Sequence, residues 1–209
     1  MARRDRDRRP ARLRSTQAPK KRLLLVCEGE ASEPDYLQGF QRIHREAMVE
    51  VHVAEQHGDP KYLVEKAKEL AREARRKAKT DPLEAYDEVW VVCDVDDHAR
   101  LPDARQMARD NGIRMVVSNP CIELWFLLHF RDSPGARHRH DVQTMLENKC
   151  RADGLKSTGK HVDAEELEPK YAEAMTRAQR MRDDAIEMDE EGRNPSTDIF
   201  FLTESICGR

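Results

Sequence analysis

The feature that most constrains this chain is an aliphatic run that reads as a buried strand and is closed abruptly by acid, and it occurs twice. "LLLVCEGE", residues 23–30, passes from Leu23–Val26 to Glu28 and Glu30, and "VWVVCDVDDH", residues 89–98, ends in Asp94, Asp96 and Asp97. Strands that are apolar on both faces belong to parallel sheets covered by helices. Because burying an unpaired carboxylate is costly, the acids belong beyond the strand ends, where open parallel sheets bind their ligands.

The segments between these runs alternate in the same sense. Ser32 with Asp35 three residues on reads as a capping box opening a helix to about residue 46. "VEVHVAE" alternates as a second strand around Val49, Val51 and Val53. Asp59-Pro60 reads as N-cap and first helical residue; the helix it opens has an apolar face of Leu63, Ala67, Leu70, Ala71 and Ala74. A third strand over 88–93 is followed by a short helix near 103–110, stopped at Asn111-Gly112. "IRMVVS" reads as a fourth strand, and "CIELWFLLHF" as a buried helix. The predicted fold is therefore α/β, a mostly parallel four-stranded sheet flanked by helices. After residue 131, "RDSPGARHRHD" and "GLKSTGKHVDAEELEPK" read as loops around a short helix. A long polar helix at about 169–190 and a closing apolar segment follow. The expected organisation is a disordered basic tail over 1–22, an α/β core over 23–130 and a helical C-terminal addition over 131–209, too poor in apolar residues to form its own core.

Charge is unevenly distributed. Residues 1–22 hold ten Arg or Lys against two Asp, and the remaining 27 basic and 38 acidic residues leave −11. A basic arm of this kind suits nucleic-acid phosphates; a solubilising terminus is the alternative reading. No apolar run approaches the roughly 20 residues that span a bilayer, and the basic N-terminus lacks the apolar stretch of a secretory signal. The expectation is a cytoplasmic protein without a membrane partner. The five cysteines form no C-x-x-C pair, which argues against a disulfide framework or structural zinc. Cys27 and Cys93 lie within apolar strands, where a thiol is a small hydrophobe.

On the predicted sheet, Glu28 and Glu30, then Asp94, Asp96 and Asp97, then Asn119 and Glu123, all fall at one edge. Carboxylates gathered so densely repel unless a cation offsets them, and all-oxygen donors favour Mg²⁺ or Mn²⁺. A divalent ion there can clamp a phosphate and activate water.

The blocks "VCEGEASEPDYL", "VWVVCDVDDH", "SNPCIELWFLLHF" and the late "NPST" resemble the RloB-like family of bacterial defence-associated proteins, over residues 22–209. The first two also resemble the TOPRIM pattern, a glutamate after strand one and D-x-D after strand three. The resemblance implies a TOPRIM-like fold and a metal-dependent nuclease acting on RNA, possibly tRNA, or on DNA, in anti-phage or abortive-infection defence. It implies Glu28 as general base or acid, and Asp94 and Asp96 as metal ligands. Glu30 or Glu33 would supply a third acid, and Glu123 an outer ligand. A toxic nuclease also implies a regulatory protein partner, such as a defence-system ATPase; oligomerisation is left open.

Each assignment has a competitor. Acids after strands also cap helices, and Asp97 reads as either cap or ligand. His98 and Asn119 could orient a phosphate, and Lys156, Lys160 and Arg193 could bind the backbone of a nucleic acid. "STGK" lacks the order of a P-loop, since Lys160 is followed by His161. His138 and His140 could bind a transition metal, although a solvated loop is the commoner outcome. His129 and Trp125 read as parts of a buried helix. "VVCDVDD" also fits a haloacid-dehalogenase-like phosphotransferase with Asp94 as nucleophile. A non-catalytic nucleic-acid-binding or partner-sensing module is the third possibility.

Overall fold

The protein is described here by a computed structural model covering residues 20–29, 31–53, 59–95, 101–158 and 161–209. The basic segment 1–19, and Glu30, Asp96, Asp97, His98 and Lys160, lie outside the described residues.

Among the described residues, five strands form one sheet in the order β2-β1-β3-β4-β5. They are β1 (Lys21–Cys27), β2 (Ala47–Val53), β3 (Glu88–Asp94), β4 (Arg114–Asn119) and β5 (Ser196–Thr197). The first four run parallel, with Leu25 opposite both Val51 and Trp90, and Val92 opposite Val116. β5 is antiparallel to β4 through Ser118–Thr197 and Asn119–Ser196. The sheet thus has five strands rather than the expected four. A two-residue strand is too short to show the period-two signal that identifies strands in sequence. Lys21 and Arg22, assigned to the tail in the sequence reading, are the first residues of β1.

Alternate residues of each strand feed opposite cores. Leu23, Leu25, Cys27, Trp90, Val92 and Val116 face one layer, with α1 (Ser32–His44), α4 (Glu123–Leu128), α5 (Arg139–Asp153), α6 (Ala164–Leu167), α7 (Tyr171–Glu187) and α8 (Ile199–Ile206). Leu24, Val26, Val91, Cys93 and Val117 face the other, against α2 (Pro60–Lys77) and α3 (Leu101–Asp110). Two-sided burial explains why the strands are unbroken apolar runs. It also explains the cysteines: burial pushes the Cys27 and Cys93 thiols well up, so both stay protonated packing groups.

Several helix boundaries follow the sequence reading. Asp59 caps α2, accepting the Lys61 N–H at 3.0 Å with Pro60 in the first turn. α3 ends at Asp110 and is followed by a turn through Asn111 and Gly112, whose φ of +65° lies in the left-handed region that favours glycine. Other boundaries differ. Ser32 is the first residue of α1 rather than its cap, and no side chain caps that helix. Arg139, His140 and Asp141, expected in a loop, form the first turn of α5; His138 precedes it, with Nδ1 accepting the His140 N–H. Among the described residues, no helix is long and apolar enough to cross a membrane.

Candidate active site: a buried carboxylate cluster

In this strand order the chain leaves β1 toward β2 on one side and crosses to β3 on the other. The switch point is the crevice between the carboxyl ends of β1 and β3, where doubly wound folds bind ligands. Glu28 follows β1 and Asp94 closes β3. Glu33 lies in the first turn of α1, and Glu123 opens α4 just beyond β4.

Three of these acids are almost wholly buried: Glu33 is 5% exposed, Asp94 8% and Glu123 5%. Burial raises the Asp94 pKa well above the ordinary aspartate range, and the charges of Glu33, Glu123 and Glu28 add to the rise; Arg139 opposes it. The Glu33 carboxyl is pushed up to about 7, first by burial and then by Glu123 and Glu28, with its own backbone N–H and Arg139 acting in the opposite sense. Four carboxyl groups therefore share one field. The facing cation is Arg139 on α5, whose Nη2 lies 3.4 Å from Asp94 Oδ2. Gln143, one turn along α5, donates from Nε2 to Glu123 Oε1 at 3.3 Å. Glu123 Oε2 is buried and accepts no hydrogen bond from a described residue.

Gly29 makes room for this arrangement. A Cβ built at Gly29 would stand 1.8 Å from Glu33 Oε2 and 2.5 Å from Glu33 Cδ, so the Glu33 carboxyl occupies the space a side chain would take. Gly29→Ala will therefore push Glu33 aside while leaving the strand intact. The expected result is a pH titration of stability altered between pH 5 and 8, with unchanged far-ultraviolet circular dichroism, measured by thermal melts across that range.

The cluster's oxygen donors, mutual repulsion and orphaned Glu123 Oε2 fit a hard divalent cation in chemistry. Among the described residues no three His, Cys, Asp or Glu side chains are already grouped as a metal site, so these side chains form no ready-made cage.

The other candidates are placed as follows. Asn119 Nδ2 donates to the Gly192 carbonyl at 2.9 Å, tying β4 to the segment before β5. Arg193 pairs with Glu190 at 2.8 Å. Lys156 lines a cleft with Asp35, Arg42 and His161, which includes none of the four clustered acids. His129 is 2% exposed, with Nδ1 3.0 Å from the Trp125 carbonyl; burial lowers its pKa to about 4, so the ring is neutral and Nδ1–H donates. Trp125 is fully buried in the core. Sequence reasoning missed Arg139 because its helix was begun too late, and gave Gln143 no role. The spacing of Val142, Leu146 and Cys150, all buried on one face of α5 and followed by Gly154, carried the signal.

A doubly wound α/β protein with a carboxylate cluster at its switch point is the class that fold and site define. The chain belongs to the RloB-like protein family, whose model matches residues 23–206. The comparison with curated proteins found no match. A crystal structure of a sigma-54 interaction domain protein from Enterococcus faecalis is 11% identical, aligning over 67% of this chain and 98% of that chain; its TM-score of 0.28 carries no argument about fold or function.

Proposed function

We propose that this protein is a divalent-metal-dependent nuclease with a TOPRIM-like site, hydrolysing RNA or DNA. The observation that carries this reading is the convergence of Glu28, Glu33, Asp94 and Glu123 on one crevice at the sheet's switch point. Asp94, with Glu28 and Glu123, would hold Mg²⁺ or Mn²⁺; Asp96 is the further ligand implied by the D-x-D pattern. The bound ion would supply charge stabilisation at phosphate oxygens and activation of water.

The chain's own groups supply the rest. Glu28 would accept a proton from an attacking water. Glu33, with its pKa near 7, can hold a proton on its carboxyl at neutral pH and release it to a leaving oxygen. Arg139 neutralises Asp94 and offers a guanidinium fork suited to phosphate. The basic arm before β1 would hold the nucleic-acid backbone. Action in defence against foreign genetic elements, under a regulatory partner, is the extension that family membership suggests.

The test is incubation of the full chain with total RNA and with plasmid DNA, in Mg²⁺, in Mn²⁺ and in chelator. Cleavage in metal that disappears in chelator is expected. Intact substrate in every metal, with retained binding, would leave a non-catalytic module.

A further inference from the structure

At the opposite end of the sheet from the carboxylates lies a cleft of about 560 Å³ between α3 and α8, floored by the start of β4. β5 covers only the far end of β4, so the edge below it is open. Asp198 donates its N–H to the Val117 carbonyl at 3.0 Å, which shows that Val117 points its backbone groups toward this edge. The Ser118 carbonyl instead accepts from Val95 on the β3 side. The two-residue alternation of a strand then directs the N–H and C=O of Met115 to the same edge as those of Val117. Among the described residues nothing pairs with the Met115 groups there.

The two walls of the cleft differ. Arg105 and Arg109 stand on the α3 wall, and the α8 wall carries Phe201, a large apolar side chain left 41% exposed, with Arg209 just beyond the helix. Arg105, Arg109 and Arg209 form no ion pair with any described residue, and Arg109 and Arg209 are exposed. Among the described residues, Glu204 is the one acid lining the cleft. This is a cationic groove on a body, residues 23–209, whose net charge is −11.

We propose that this cleft is a docking site for an extended acidic segment of a partner protein, which adds to the sheet as a strand beside β4 in line with β5. An added strand gains main-chain hydrogen bonds from the open edge and specificity from pockets for alternate side chains. Successive side chains of a strand face opposite sides. A peptide bonded to Met115 would therefore present every second residue to Arg105 and Arg109 and the intervening ones to Phe201, which selects acidic residues alternating with apolar ones. The same charge argument excludes the chain's own basic N-terminal arm as occupant. Unguarded strand edges are normally blunted by charge or covered by other elements; here Arg105, Arg109 and Arg209 outnumber Glu204 along the edge, which favours a partner of negative charge.

The test uses the full chain and a fluorescein-labelled heptapeptide of alternating glutamate and valine, read by fluorescence anisotropy, with hydrogen exchange at the Met115 amide as a second readout. Saturable binding is expected, with slowed exchange at Met115. The affinity should fall at least tenfold in Arg109→Glu combined with Arg209→Glu, and likewise in Phe201→Ser, while far-ultraviolet circular dichroism is unchanged. A peptide with N-methylated backbone should bind at least tenfold more weakly to the unaltered protein, and so should one with lysine in place of glutamate. Absence of binding by the acidic peptide, equal binding of the N-methylated one, or unaltered exchange at Met115 would overturn the proposal. Binding of a single-stranded oligonucleotide that depends on Arg109 and Arg209, with none of the acidic peptide, would overturn it in favour of a nucleic-acid surface.

Discussion

Replacing Asp94 with Asn will reduce metal-dependent cleavage by about three orders of magnitude, the scale on which a pre-placed charge-stabilising group acts in a buried site, and will leave the protein folded. Asp94 is the last residue of β3, held by backbone pairing with Ser118 on β4, so its position does not depend on its charge. Its carboxyl lies among Glu33, Glu123 and Glu28, which disfavour its charged form, while Arg139 at 3.4 Å favours it. The amide keeps the shape and one acceptor but removes the charge a cation would use. Single-turnover cleavage in Mg²⁺, with thermal melts of both proteins in chelator, separates chemistry from folding. Equal cleavage by the variant, or loss of its cooperative melt, would count against the assignment.

The second large effect is on stability. Glu33 has a folded-state pKa raised from 4.5 to about 7, so between these values the folded protein binds more protons than the unfolded chain, and stability falls as pH rises. Below about pH 4.5 Glu33 is protonated in both states and carries no penalty; above about pH 7 it is ionised in both and the penalty is complete. A shift of this size corresponds to about 3 kcal/mol at 1.36 kcal/mol per unit. Glu33→Gln removes the ionisation, so the variant should be more stable than the unaltered protein at pH 8 by up to that amount. For a domain of this size that is roughly 6–12 °C in Tm, with little difference at pH 4.5. Melts in chelator at the two pH values check it; a variant destabilised at pH 8 would show that the carboxylate is satisfied rather than crowded. A gain in stability on deleting a buried ionisable group of this kind is what a site that sacrifices stability for ligand binding produces.

Much of this was legible in the residues. The aliphatic runs ending at Cys27 and Asp94 identified two central strands and put their acids at one edge, because two-sided burial leaves a continuous apolar signature. Asp59-Pro60 fixed the start of α2 for the equally local reason that the cap and the first turn are adjacent in the chain. What was not legible was long-range or short. β5 is two residues and exists only because Ser118 and Asn119 offer it an edge. Glu33 was one of two alternatives for a third acid, and its burial depends on the absence of a side chain at Gly29, which no periodicity reveals. Arg139 stands 45 residues from Asp94, and only the folding of α5 against α4 brings them together.

Titration of Mn²⁺ into the metal-free protein near pH 7, followed by calorimetry in buffers of different ionisation enthalpy, measures directly whether Asp94, Glu28 and Glu123 share one cation beside Glu33. Saturable binding with release of protons is expected, because crowded carboxyls protonated in the free protein must ionise to coordinate, and both should be lost in Asp94→Asn. Mn²⁺ binding that is absent, or that is unchanged in that variant, would contradict it.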